Sequence, residues 1–338
     1  MSFRAVFTSF SVLVILNVST MYFVILPRLP VTCPSLLPPP PIILRANITH
    51  TPQQKQSNNN CSYVGTTYEG DDMHALLPIT FRYSLEERNN MYRASKTIEG
   101  WSGELTFDMV SIVSDEQRRY NVTSRSVGEV GVHQGKSFVW MDALSFVHEH
   151  VFALDVFDMQ HLNSDHSGGR GLSVDSFWRN IGPIVSSKGR AHIEVIRASS
   201  LTTTACNLSD RHLTPVRLFS IDGSHTGEAT YSDCCLAAAT LTRGGCMFVD
   251  DYLNHGWLGV HEGVHRFLYE RRTQYAPLAI AAGKFWICDA MYVQLYRSAL
   301  LSRLPAVLVV RSRELNRSMK LVTQSRMYGI QMIFIVNS

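Results

Sequence analysis

The sequence predicts an α/β domain built on a mainly parallel central sheet with flanking helices, and three observations carry that prediction. From about Asp71 onward, short apolar runs alternate with amphipathic stretches at the spacing of β-α units. Between two of those runs, Tyr231, Cys234, Cys235, Ala238 and Leu241 recur at three- and four-residue steps, which puts one apolar face on a helix. Several runs end in a glycine turn or a carboxylate, and an open parallel sheet keeps its ligand crevice outside the carboxyl ends of its strands.

In chain order the candidate strands are SVGEVG (126–131), VFALD (151–155), HIEVIRA (192–198), VRLFSID (216–222) and CMFVD (246–250). RGG (243–245) is expected to end the helix before the fifth strand, because glycine takes the left-handed backbone that helix C-termini use. Cys234 and Cys235 read as small core residues of that helix. PLAIAAGKFWICD (277–289) and IQMIFIVN (330–337) read as strands added at the far edge of the sheet. HEH (148–150) reads as a solvated helix end ahead of the second strand.

The N-terminal part follows different rules. AVFTSFSVLVILNVSTMYFVIL (5–26) carries no charged side chain. As a helix it would be roughly 33 Å long at about 1.5 Å per residue, enough to cross a hydrocarbon layer of about 30 Å. Residues 1–27 are therefore expected to form a short tail and a signal-anchor transmembrane helix, with a cleaved signal peptide as the alternative. Residues 28–70, rich in proline and then in polar side chains, read as a largely disordered stem, and 71–338 as the folded domain. This order predicts a single-pass type II membrane protein of the secretory pathway, in the endoplasmic reticulum or Golgi, with its domain lumenal. A secreted or organelle-targeted protein is the alternative.

Asn47, Asn60, Asn121, Asn207 and Asn316 each begin a glycan-acceptor tripeptide. Of seven cysteines, Cys33 and Cys61 in the stem are the candidate disulfide in an oxidising compartment. The formal charge of +3, from 31 basic and 28 acidic residues mixed along the chain, offers no basic stripe for a polyanion, so nucleic acid is not an expected partner.

The residues after each strand are the candidate site. EVGVHQGKS (129–137) places Glu129 in the first strand and Gly131 and Gly135 in a turn entering a helix, where the missing Cβ lets backbone approach a ligand. Asp155 ends the second strand about 20 residues on, the spacing at which a carboxylate accepts hydrogen bonds from ribose hydroxyls, although one such Asp is often only a helix cap. Asp222 ends the fourth strand, in IDGSH, and Asp250 and Asp251 end the fifth, in GGCMFVDDY.

Together, the glycine turn, Asp155, IDGSH and GGCMFVDDY resemble the class I S-adenosylmethionine-dependent methyltransferases, closest to the subgroup with DG-x-H and GG…DDY that includes metal-assisted sugar and small-molecule O-methyltransferases. The resemblance covers 126–289 and implies a Rossmann-like methyltransferase fold. It implies that Glu129, Gly131, Gly135, Lys136, Ser137, Asp155 and Ser199 line the S-adenosylmethionine site. It also implies that Asp222, Asp250 and Asp251 bind Mg2+, and that the acceptor is a small molecule or glycan. Many relatives have an acidic residue near adenine where Ser199 and Ser200 stand, and a second acid acting as base where Ser224 stands.

Methyl transfer from a sulfonium to an alcohol is an in-line displacement that needs an aligned and partly deprotonated acceptor oxygen. A hard divalent ion on carboxylates can lower the hydroxyl pKa, and His225, beside Ser224, has a suitable unperturbed pKa for the base. Asp222 and His225 are thus the candidate catalytic residues. Phe81, Tyr83 and Trp101 are candidates to stack on the acceptor, though lone aromatics are more often core. Two readings compete: a membrane-tethered domain that binds but no longer catalyses, and a zinc metalloprotease through HEGVH (261–265), for which no third ligand is recognisable.

Overall fold

The computed structural model describes residues 12–17, 20–25, 79–165, 167–169 and 171–337. The chain divides into two compact units, 1–58 and 59–338. In the first, Val12–Asn17 pairs antiparallel with Thr20–Ile25, closing at Asn17 opposite Thr20. This corrects the expected transmembrane helix over 5–26. VLVILN and TMYFVI are dominated by β-branched and aromatic side chains, whose restricted rotamers favour pleated backbone. The other residues of that run, and the stem with Cys33, Cys61, Asn47 and Asn60, lie outside the described residues.

The second unit carries a nine-stranded sheet. Its strands are β1 (Ser126–Val130), β2 (His150–Asp155), β3 (Ile193–Arg197), β4 (Val216–Ile221), β5 (Leu241–Val249), β6 (Tyr275–Ala281), β7 (Lys284–Asp289), β8 (Met319–Val322) and β9 (Ile333–Asn337). The spatial order is β8-β9-β6-β7-β5-β4-β1-β2-β3. Strands β1 to β5 are mutually parallel, β7 runs antiparallel between β5 and β6, and β9 returns parallel to β6. From β1 the chain winds outward to β3, then crosses back to β4 on the other side of β1. That reversal between β1 and β4 is where connecting loops part and leave a crevice.

Helices α1 (Leu85–Ser95), α2 (Glu104–Arg119), α3 (Lys136–Ala143), α4 (Val174–Ile181), α5 (Ser187–Arg190), α6 (Ala205–Asp210), α7 (Gly227–Thr240), α8 (Leu258–Arg271) and α9 (Val293–Glu314) cover both faces. Alternation along each strand feeds two cores. Val151, Ala153, Cys246 and Phe248 join Met109, Phe138 and Tyr296 on one face. Phe152, Leu154, Met247 and Val249 join Cys234, Val264 and Phe267 on the other. By length and composition α9 could cross a membrane, but Tyr296, Leu300 and Leu304 are buried against the sheet.

Three further expectations need correction. RGG does not end α7, which stops at Thr240; Arg243, Gly244 and Gly245 extend β5 backward. Gly244 has a φ of +81° beside the Tyr292 ring, so the glycine serves a strand irregularity rather than a helix end. The run 277–289 folds as a hairpin, because Ala282 and Gly283 turn at φ +53° and +82°, and its second strand lies inside the sheet against β5. HEH is solvated only in part, with His148 exposed and His150 half-buried. Glu149 is fully buried and held by Arg217, with Nε 2.8 Å from Oε1 and Nη2 2.9 Å from Oε2, and it also accepts from Ser124 and the Phe146 amide.

Candidate active site

A cleft of about 530 Å3 opens at the carboxyl ends of β1, β2, β4 and β5, within the size range of small-molecule sites. Its wall begins at the turn between β1 and α3. Gly131, at φ +77°, lies so close to β4 that a Cβ would stand 1.8 Å from the Asp222 carbonyl oxygen. Gly135, at φ +95°, is the N-cap of α3, and a Cβ there would stand 2.4 Å from Ile181 Cγ2. Both glycines thus serve close packing of protein on protein, and through it bring the turn beside Asp222.

Asp155 closes the turn. Its Oδ2 accepts from the His133 amide at 3.1 Å and its Oδ1 from the Phe157 amide at 2.6 Å. Burial pushes its pKa up, against the pull of these amides. A carboxylate offers about four acceptor sites, and with the Val132 amide also turned toward it, acceptor capacity still remains for a hydroxyl in the cleft. Ser199 and Ser200 line the same space after β3. Lys136 also lines the cleft but is committed at its end: Nζ donates to the Gly100 carbonyl at 2.9 Å and fixes the loop before α2.

Glu129 is fully buried in β1 and accepts from Ser220 Oγ at 2.8 Å. Burial lifts its pKa to about 7, with Lys284 and the Ser137 and Ser220 hydroxyls pulling the other way. It therefore belongs to the floor under the cleft, and Ser137 supports it there. Lys284, which sequence reading missed, is the cation of that floor. It is fully buried, with Nζ 2.6 Å from Asp250 Oδ2 and 3.7 Å from Asp222 Oδ2. Although burial favours the neutral amine, Asp250, Asp222 and Glu129 keep it an ammonium. Burial and the neighbouring Asp250 raise Asp222 well above the usual carboxylate range.

The three aspartates expected to act together are therefore divided. Asp250 pairs with Lys284, whereas Asp222, His225 and Asp251 place one donor atom each within 4.8 Å of one another. Asp251, at φ +55° just beyond β5, sends Oδ2 to within 2.9 Å of His225 Nε2, and its Oδ1 accepts from Asn254 Nδ2 at 3.0 Å. On the other ring nitrogen, Asp165 Oδ2 lies 2.7 Å from His225 Nδ1 and also accepts the His225 amide. The ring stacks on Trp257 at 4.4 Å and 16°. Burial opposes a charged imidazole, but Asp251 and Asp165 raise the His225 pKa, and the same contacts hold Asp251 low. Despite its own burial, hydrogen bonds from Ser167 and His225 bring Asp165 down to about 2. Two carboxylates and an imidazole are a donor set that suits a divalent ion.

Of the candidate stacking residues, only Trp101 reaches the cleft; it is 86 % exposed and tilts against His133 at 5.6 Å. Phe81 lies half-buried under the Arg88 guanidinium, and Tyr83 is buried, donating to Asp142 at 2.8 Å. HEGVH lies on α8. Its His261 stacks on Tyr252 at 4.3 Å, and His265 bonds the Tyr252 and Tyr328 hydroxyls at 2.9 and 3.1 Å. Among the described residues no acidic or thiol ligand gathers with this pair.

Residues 129–252 match the family described as Methyltransferase domain (Methyltransf_24). No curated protein sequence matches the chain. Among solved structures, it is similar to the O-methyltransferase NovP, at 14% identity over 55% of this chain and 80% of that one, with a TM-score of 0.45. It is also similar to an O-methyltransferase from Bacillus cereus in complex with SAH, at 12% identity over 61% and 91%, TM-score 0.43. A third is CalS11, a TDP-rhamnose 3'-O-methyltransferase, at 17% identity over 64% and 99%, TM-score 0.41. With scores below 0.5, the fold assignment rests on the strand order and the family match. The matched segment 129–252 carries the glycine turn, Asp155, Asp222 and the acidic pair Asp250 and Asp251, all of which line the cleft.

Proposed function

We propose that the protein transfers a methyl group from S-adenosylmethionine to a hydroxyl of a small hydroxylated acceptor, with a sugar as the foremost class. The observation that carries this reading is the layout of one cleft, with Asp155 and the glycine turn at one end and Asp222, His225 and Asp251 at the other. Asp155 accepts the ribose hydroxyls of the donor, while Ser199 and Ser200 flank its base. Trp101 gives the acceptor a flat apolar face at the cleft mouth, the kind of surface on which sugar C–H faces pack. A divalent ion, Mg2+ in the sequence reading, would lower the pKa of the acceptor hydroxyl.

Isothermal titration of the purified chain with S-adenosylhomocysteine tests the donor half of this proposal. Wild type is expected to bind, and Asp155→Ala to weaken binding by about ten- to a hundredfold, the loss of charged hydrogen bonds of about 1.5–3 kcal/mol. Failure of the wild type to bind would remove the proposal.

A lumenal location in the secretory pathway is part of the same proposal. It is supported by exposure of Asn121, Asn207 and Asn316, three glycan-acceptor positions of the folded unit. Endoglycosidase treatment of the chain from secretory-pathway expression is expected to lower its apparent mass. An unchanged mass together with a cytosolic fractionation would contradict the location.

A further inference from the structure

We propose that Asp222, His225 and Asp251 form a divalent-metal site in which the imidazole takes the place that the DDY pattern gives to Asp250, with Mn2+ favoured over Mg2+. The inference rests on the methyl-transfer reading of the cleft and assigns His225 a ligand's role there.

Geometry separates the two candidates for the third ligand. His225 Nε2 and Asp251 Oδ2 lie 2.9 Å apart, the separation of adjacent ligands on one ion at about 2.1 Å from each. Asp222 completes the group, with its donor atom within 4.8 Å of both. The far nitrogen of the ring, Nδ1, is taken by Asp165 at 2.7 Å, which leaves Nε2 as the coordinating atom and fixes the tautomer. A carboxylate on the remote nitrogen is the usual support for a metal-binding histidine. Trp257 stacked on the ring, and Asn254 donating to the second oxygen of Asp251, hold both ligands in place.

Lys284 faces both strand-end acids but holds Asp250 far more closely: its fully buried Nζ lies 2.6 Å from Asp250 Oδ2, within hydrogen-bond distance, and 3.7 Å from Asp222 Oδ2, beyond it. A dication on the Asp250 carboxylate would face the ammonium at close range in a poorly screened interior, and displacing the lysine would strand a buried charge. One nitrogen and two oxygen donors suit first-row transition ions better than an all-oxygen set, and Mg2+ prefers oxygen.

The test is titration of the full chain with Mn2+ alone, followed by electron paramagnetic resonance, with S-adenosylhomocysteine binding measured in parallel in chelator. Wild type is expected to bind one Mn2+ per chain more tightly than Mg2+. His225→Ala is expected to weaken Mn2+ binding at least about tenfold, whereas Asp250→Asn combined with Lys284→Met, which removes both charges of the pair, is expected to retain it within about threefold, a difference under about 1 kcal/mol. Pulsed resonance on Mn2+-loaded wild type should show nitrogen coupling from a directly bound imidazole, a readout that requires no variant to fold and that a general base would not produce. Absence of Mn2+ binding, absence of nitrogen coupling, tighter binding of Mg2+, unweakened binding by His225→Ala, or loss of binding in the Asp250 and Lys284 double variant would each overturn the inference. Retained S-adenosylhomocysteine binding in those cases leaves the methyltransferase reading intact, whereas its loss in wild type removes that reading whatever the metal result.

Discussion

Asp233 sets a pH limit on the fold from a single side chain. It is fully buried in α7, and burial pushes its carboxyl up to about 7, against a smaller pull from the Ser200 hydroxyl. Because the folded-state pKa lies above the unfolded value of about 3.9, the native state holds the proton more tightly. The associated stability is full below about pH 4 and is lost as pH rises through about 7. Thermal unfolding between pH 5 and 8 should show wild type losing stability relative to Asp233→Asn, and parallel curves for the two would refute this role. Residue positions were legible where a motif is local in the chain. Gly131, Gly135 and Asp155 fall within one β-α-β unit, β1 to β2, so their spacing alone brings them to one end of the cleft. Lys284 and Asp165 escaped because each meets its partner only through tertiary contact, Lys284 within an apolar strand run and Asp165 in a loop. Glu149 was misread for the same reason: HEH looks polar in isolation, and Arg217, its neutralising partner, is 68 residues away.

At the scale of elements, α8 shows why HEGVH resembles a zinc helix. A Cβ on Gly263 would stand 2.6 Å from Thr230 Cβ and 2.8 Å from the Gly227 carbonyl oxygen, and one on Gly259 would stand 2.5 Å from the His225 carbonyl oxygen. Gly259 and Gly263, four residues apart, thus let α8 cross α7 at close range, and the motif's central glycine is a packing residue. Gly263→Val is expected to destabilise the fold by about 1–3 kcal/mol, the usual cost of overpacking, and urea unfolding would report it; an unchanged midpoint would argue against the crossing. Such a contact has no signature in the sequence, where a glycine inside a helix only lowers its propensity. The hairpin of β6 and β7 escaped for a related reason, since its two apolar strands read as one continuous run across the brief Ala282-Gly283 turn.

At the scale of the whole molecule, the parallel half of the sheet was legible because its strands are bounded by turn and acid signals, and their order around β1 fixes where the crevice lies. The segment matched to the methyltransferase family ends at Tyr252, before β6 and β7. Lys284 enters from β7, so the cleft's floor becomes electrically complete only when a later part of the chain docks beside β5. During synthesis, Glu129, Asp222 and Asp250 would emerge first and wait, uncompensated, for a cation still unmade. A fragment stopping at Tyr252 would keep every recognisable motif and still be unable to bury its own acids, so the structural boundary of this cleft lies beyond the boundary that its sequence signature marks.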